Sequence, residues 1–340
     1  MERKDFEQLL LRDAFAVPSV LLFEGDEEHL KQTALDALCR KFLPEGLEEL
    51  NRSLLENPET DQIIAAAETM PFMADRRLVI VRNHPALMGR AEADERLVEY
   101  LPSTPSGTIL LFYCISKPDG RKKLYTAIKK LNGIVTFSPL RDRELTSFVT
   151  SAFRDLGKEC DDRTADFLIF TCGSDTGMLL NEISKVADHS GDAASIHPDS
   201  VRAVATPSTE CTVFQMVDAV VAGQSSRAFT LMRNQLLAGS DRIYMLSMLL
   251  RQFRMLQHIK IMQYEKRSSQ EIRSALGVPG FAADQYIRQA SGYTNGQIKN
   301  AVSICFDTEY AIKSGRLNQE GALESVMLKL LHLRRKNETP

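Results

Sequence analysis

No apolar run in this sequence approaches the length of a membrane span, because the longest, residues 108–115, falls far short of the roughly 18 to 20 residues that a bilayer requires. No signal peptide is expected either. Residues 1–15 mix Glu2, Asp5, Glu7 and Asp13 with Arg3, Lys4 and Arg12 and lack the basic, apolar, small-residue order of a secretory leader, so a cytoplasmic home is the expectation. Cysteine is sparse and unpaired. Cys39, Cys114, Cys160, Cys172, Cys211 and Cys305 include no C-x2-C or C-x4-C spacing, so zinc ribbons and redox dithiols are not expected, and the cysteines read as small buried hydrophobes. The six histidines lie far apart with no H-E-x-x-H, and no G-x-S-x-G elbow marks a nucleophile. Neither a metal site nor catalysis by this chain is anticipated. Tryptophan is absent, which decides nothing.

What is present is a soluble globular composition, 44% apolar and 26% charged, on 340 residues, long enough for two or three domains. The net charge of −3 hides an asymmetry. Residues 1–210 carry 25 Lys and Arg against 35 Asp and Glu, while residues 211–340 carry 17 against 10, so the two parts should meet different partners.

Residues 1–139 alternate two periodicities. Short apolar runs at 20–23, 78–81, 108–115 and 133–137, with a weaker one at 50–55, read as buried strands. Between them, helical spacing appears over 26–42, 61–70, 92–101 and 121–131, with Pro44 and Gly46 closing the first and Pro71 stopping the second. The order implies a parallel sheet covered by helices. After Pro139 the strand signals stop, and helices are expected over 144–156, 164–172, 175–188 and 198–205. A polar stretch at 206–210 makes a linker, and seven further helices follow, including a long one over 241–266. The division is therefore an α/β domain (1–139), a helical domain (140–210) and an all-α domain (211–340).

A strand leading through glycine into a helix is the frame of a phosphate loop, and G-x-x-x-x-G-K-[ST] can be tested from Gly25. Gly25 and Lys31 fit. The second glycine is replaced by Leu30, which blocks close approach of phosphate to backbone N–H groups, and the magnesium-binding hydroxyl is replaced by Gln32. Asp26, Glu27 and Glu28 also sit where polyphosphate would lie, and like charges at about 4 Å repel by about 1 kcal/mol in water and about 4 at an effective dielectric of 20. The run at 78–81 ends in Arg82-Asn83 instead of metal-binding carboxylates. No cofactor is expected, and Lys31 is read as an exposed helix lysine.

This combination resembles the δ subunit family of the bacterial DNA polymerase III clamp loader. The residues that carry the resemblance are Leu22-Phe23-Glu24-Gly25-Asp26-Glu27 and Ala67-Glu68-Thr69-Met70-Pro71-Phe72-Met73 followed by Arg77-Leu78-Val79-Ile80-Val81. Further on, Leu180-Asn181-Glu182-Ile183-Ser184-Lys185, Lys313-Ser314-Gly315 and Ala322-Leu323-Glu324 continue it in order. The resemblance implies an AAA+-like domain without a functional phosphate loop, a helical lid and a helical collar that joins subunits. It implies a non-hydrolysing part of the DNA-directed DNA polymerase III holoenzyme, at the replisome on the nucleoid, that opens the ring-shaped sliding clamp (β) during DNA replication. ATP hydrolysis would belong to partner subunits, with delta-prime also in the complex. The arginine finger of related subunits sits in a Ser-Arg-Cys motif that is absent here.

By the same resemblance Met70, Phe72 and Met73 insert into a pocket on the clamp, with Pro71 fixing the turn; read from residues alone, such a cluster could equally pack back onto the sheet. Asn181 and Lys185 share a helical face, with helix stabilisation or domain packing as their ordinary role. The stripe Tyr244, Leu246, Leu249, Leu250, Phe253 and residues 256–259 is expected to be mostly core. Lys313 and Arg316 flank Gly315 between the last two helices, and Arg334, Arg335 and Lys336 follow near the end. A scattered basic face is usually solvated, but a collar capping a chamber for primer-template DNA would place Lys313 and Arg316 against phosphate. A different reading is an AAA+ ATPase of DNA metabolism with an atypical phosphate loop, against which Leu30, Gln32 and Arg82-Asn83 speak. A nucleic-acid adaptor would need a recognition helix or exposed aromatic platform, and the sequence offers neither.

Overall fold

The computed structural model describes residues 1–335 apart from 91, 93 and 279, and the side chains of these except 14, 280, 281, 334 and 335. The chain forms two compact units, the first comprising Met1–Leu140 and Asp175–Gly177, the second Arg141–Ser174 and Met178 onward. The fold is an α/β unit followed by a mostly helical one.

In the first unit the elements run α1 (Arg3–Leu10), β1 (Val20–Glu24), α2 (Glu28–Phe42), α3 (Glu48–Asn51), β2 (Arg52–Glu56), α4 (Thr60–Glu68) and β3 (Arg77–Arg82). They continue through α5 (Glu95–Tyr100), β4 (Thr108–Tyr113), α6 (Lys123–Lys130) and β5 (Ile134–Thr136). All strand pairs are parallel, in the order β2-β3-β4-β1-β5. Every residue of β1 and β4 is buried, which their unbroken apolar character requires of central strands, whereas β2 at an edge alternates exposed and half-buried residues. One face packs Val20, Leu22, Val79, Val81, Leu110 and Phe112 against Ile63 of α4, Leu97 of α5 and Leu124 and Ile128 of α6. On the other, Phe6 of α1 stands edge-on to Phe23 with ring centroids 5.2 Å apart, and Phe137 lies 5.0 Å from Phe23.

Several expectations change. The weak strand begins at Arg52, not residue 50, because α3 takes the preceding residues. The helix expected over 92–101 starts at Glu95, where the Asp94 carboxylate caps the Arg96 N–H. α1 had no clear apolar signal, since Phe6 is its one buried residue.

The second unit holds α7 (Asp142–Asp155), β6 (Glu159–Cys160), α8 (Asp162–Cys172), α9 (Thr176–His189, whose first two residues belong to the first unit), β7 (Ser195–Ile196) and α10 (Pro198–Val204). The pair β6-β7 shows that strands do not stop at Pro139; two residues each are too few for a periodic signal. Next come α11 (Thr209–Val221), α12 (Ser225–Leu237), α13 (Arg242–Tyr264), α14 (Ser269–Leu276), α15 (Gly280–Ser291), α16 (Asn295–Lys313) and α17 (Ala322–Arg335). The linker is shorter than expected, because Ser208 caps α11 and draws Thr209 and Glu210 into it. Long α13 is the central element, burying Leu246, Leu249, Leu250, Phe253, Leu256 and Ile259. A buried polar network ties it to α15 and α11: Gln252 donates to Gln289, whose own amide donates to the Phe214 carbonyl (3.1 Å) and Asp218 (2.8 Å). Fully satisfied networks of this kind fix the register of packed helices.

Candidate functional site

In an open parallel sheet the ligand crevice lies outside the carboxyl ends of the strands. Here that corner is Gly25 after β1, Arg82-Asn83 at the end of β3 and Cys114 after β4. Gly25 holds φ at +117°, and a Cβ there would lie 2.2 Å from the Phe137 carbonyl oxygen. The glycine therefore serves the close approach of the loop to the chain leaving β5. Leu30 is buried in the core, and the Gln32 amide donates to Asp36 at 2.9 Å within α2.

Lys31 overturns its expected exposure: its side chain is 0% exposed. The ammonium donates to the carbonyls of Cys114 (2.7 Å) and Ile115 (3.1 Å) and pairs with Glu28 at 2.9 Å, above the ring of Tyr113. The Tyr113 hydroxyl donates to the same Glu28 carboxylate at 2.8 Å, and its pKa is raised by burial first and by Glu28 second. The acidic cluster is also less open than its sequence implies. Glu27 turns inward to accept from the Thr176 hydroxyl at 2.6 Å, and burial raises its pKa. Where metal-binding carboxylates would stand, Asn83 accepts from the Ile115 N–H at 3.0 Å and the Arg82 guanidinium lies 5.7 Å from the Tyr113 ring centroid. Lys31, Glu27, Glu28, Gln32 and Asn83 thus all have partners within the chain.

Residues 70–73 occupy the other edge of the sheet, before the amino end of β3. Met70 is 86% exposed, Phe72 52% and Met73 78%, with Pro71 half-buried beside Gly107. The backbone beneath them is held. Thr108 donates to the Ala67 carbonyl (2.8 Å) at the end of α4, and buried Arg77 reaches the Thr69 carbonyl (3.4 Å) and Ser53 (2.9 Å). Buried Arg76 donates to the carbonyls of Val17 (2.6 Å) and Thr108 (2.9 Å), and burial pulls its pKa down to about 10. Asn51, at the end of α3, bonds both main-chain groups of Phe72. Sequence reading missed Asn51, Arg76 and Arg77 because a buried polar residue facing a distant backbone leaves no local pattern. Only the placement of two arginines directly before an apolar strand could have raised the question.

Lys313 ends α16 and pairs with Glu309 at 2.6 Å, while Arg316 stacks over Tyr310 at 4.9 Å; both are exposed. The side chains of Arg334, Arg335 and Lys336 lie outside the described residues. Lys185 bonds Glu182 (2.7 Å) and Thr206 (2.9 Å), and Asn181 is exposed. Cys114, Cys172, Cys211 and Cys305 are buried, Cys39 and Cys160 half-buried, and all are free thiols. Among the described residues no helix is long and apolar enough to cross a membrane, and no group of three or more His, Cys, Asp and Glu side chains is placed to hold a metal ion.

An α/β unit with a five-stranded parallel sheet, its phosphate corner closed on itself, continued by a mostly helical unit, is the class of protein that the fold and the corner define. Residues 21–138 match the family "DNA polymerase III, delta subunit", and residues 210–330 match "DNA polymerase III delta subunit, C-terminal domain". The DNA polymerase III subunit delta of Bacillus subtilis is 26% identical over 331 residues, 95% of each chain, and that of Escherichia coli is 23% identical over 260 residues, 75% of this chain and 74% of the other. The solved Bacillus subtilis DNA clamp loader delta protein superposes with a TM-score of 0.53 at 24% identity, covering 97% of this chain and 99% of that one. The chain belongs to the DNA polymerase III delta subunit family and is a component of the clamp loader.

Proposed function

We propose that this subunit grips the sliding clamp through Met70, Phe72 and Met73, with Pro71 shaping the turn, and stabilises the opened ring. The observation that carries this reading is the exposure of three large apolar side chains on one anchored turn. Water-exposed apolar groups of that size on a fixed backbone gain free energy only when a partner covers them. Binding shifts the ring toward its open form only if the open form is bound more tightly. ATP hydrolysis is assigned to partner subunits, since here the Lys31 ammonium is engaged by strand carbonyls and Glu28. In the assembled loader, with delta-prime and the ATPase subunits, residues 1–139 act as the clamp-binding domain, 140–210 as the lid and 211–340 as the collar. Lys313 and Arg316 face primer-template DNA in that assembly.

The test is the paired substitution Met70→Ala and Phe72→Ala in the full chain. Each buried side chain contributes roughly 1.5 to 3 kcal/mol, so the pair should weaken clamp binding about a hundredfold or more. Clamp affinity equal to wild type overturns the site. A titration with magnesium-ATP should show no saturable binding in the micromolar range, and saturable binding overturns the reading of the corner.

A further inference from the structure

The main chain of residues 70–73 makes no backbone-to-backbone hydrogen bond among the described residues. It is held instead by one side chain. The Phe72 N–H donates to Asn51 Oδ1 at 2.7 Å, and Asn51 Nδ2 donates to the Phe72 carbonyl at 2.9 Å and to the Leu47 carbonyl at 3.1 Å. Asn51 is 0% exposed. A carboxamide closed on both groups of one residue acts as a strand would, yet the residue it holds has its aromatic side chain half in water. Met73 beside it sits at φ +51°, a left-handed conformation that is unfavourable for a non-glycine residue and persists only where its surroundings impose it.

We propose that Asn51 is the positioning residue of the apolar turn, fixing residues 70–73 in the presenting conformation before the clamp arrives; this rests on the reading of Met70, Phe72 and Met73 as the clamp contact. A four-residue segment without internal hydrogen bonds would otherwise have to be ordered during binding, and that entropy would be subtracted from the affinity. Removing the tether therefore weakens binding although Asn51 itself is buried away from the clamp. Arg77, on the Thr69 carbonyl, anchors the residue just before the turn, and the apolar side chains of the turn stay outward.

The experiment uses the full chain with Asn51→Ser, which is too short to reach both groups of Phe72, and Asn51→Asp, which keeps the acceptor for the Phe72 N–H and loses the donor. Clamp affinity is measured together with hydrogen exchange of the Phe72 amide. The wild-type amide should be protected, and the Asn51→Ser variant should lose that protection and bind the clamp roughly tenfold more weakly. In the Met70→Ala, Phe72→Ala background the same substitution should cause no further loss, a coupling that general destabilisation does not produce. Asn51→Asp should fall between the two. Wild-type affinity of Asn51→Ser, while the Met70→Ala, Phe72→Ala chain has lost binding, overturns the role of Asn51 and leaves the contact standing. Wild-type affinity of the Met70→Ala, Phe72→Ala chain overturns the contact itself and this inference with it. Should Asn51→Ser fail to fold, free exchange of Phe72 N–H in the wild-type chain overturns the proposal.

Discussion

The carboxyl ends of β1, β3 and β4 and the amino end of β3 stand at opposite edges of one sheet, and they dispose of their side chains in opposite ways. At the carboxyl edge, where such sheets ordinarily receive ligand, Lys31, Glu27, Glu28 and Asn83 all turn to partners within the chain. At the amino edge, buried Asn51, Arg76 and Arg77 also bind backbone, but what they leave outside is apolar. Internal polar bonding closes a corner in the first case and holds an exposed apolar turn in the second.

The comparison breaks first at the largest effect. Met70→Ala with Phe72→Ala should abolish most clamp affinity while shifting stability little, because both side chains lie mostly in water in the free chain. At the closed corner the outcome should reverse. Gly25→Ala places a Cβ 2.2 Å from a carbonyl oxygen at φ +117° and should destabilise the chain by roughly 3 kcal/mol. Lys31→Met keeps the aliphatic stem but leaves two carbonyls without their donor and Glu28 without its cation, and should cost roughly 2 to 4 kcal/mol. Chemical denaturation checks both values. Stability changes of under about 0.5 kcal/mol in either variant would return Lys31 and Gly25 to a role outside the fold.

β1, β3, β4 and β5 were legible because each is a continuous apolar run, and the failure of the phosphate loop was legible because Leu30 and Gln32 replace residues of fixed chemistry. The fate of Lys31 was not, because no local pattern distinguishes a lysine in water from one whose ammonium meets carbonyls 83 and 84 residues away. Asn51 hides for the same reason, its partner lying 21 residues on. The stripe on α13 read as helix without difficulty, and most of it proves to be core, with Tyr244 and His258 exposed. Periodicity shows that a face is apolar; what covers it is a matter of the neighbouring helices.

A smaller effect sharpens the contrast in the second unit. In the reconstituted loader, Lys313→Ala with Arg316→Ala should weaken DNA binding at low salt and reduce the salt-dependence slope by about 0.9 for each phosphate that is no longer neutralised. Clamp binding should not change. Both cations already have internal partners, Glu309 and the Tyr310 ring, so a phosphate must compete with them. An unaltered slope across the salt titration assigns both residues to solvated surface.

The smallest effect is a pH dependence at the closed corner. His84 follows β3, is buried, and sets its ring edge-on to Phe112 with centroids 6.0 Å apart, while its Nδ1 accepts from the Ala86 N–H at 3.3 Å. Nε2 therefore carries the proton of the neutral ring, and burial lowers the pKa below the ordinary 6.5. With the folded value depressed, the unfolded chain binds more protons between the two values, so stability is fully present above about 6.5 and is lost as pH falls through the folded value. Protonating His84 would put an unpartnered charge against Phe112, in the same core layer that supports the corner. Urea denaturation at steps from pH 7.5 down to about 5 should therefore show the wild-type chain losing more stability than His84→Gln, which carries no titrating group. Parallel curves for the two proteins would place the ring in contact with solvent on the folding timescale and remove His84 from the closed corner.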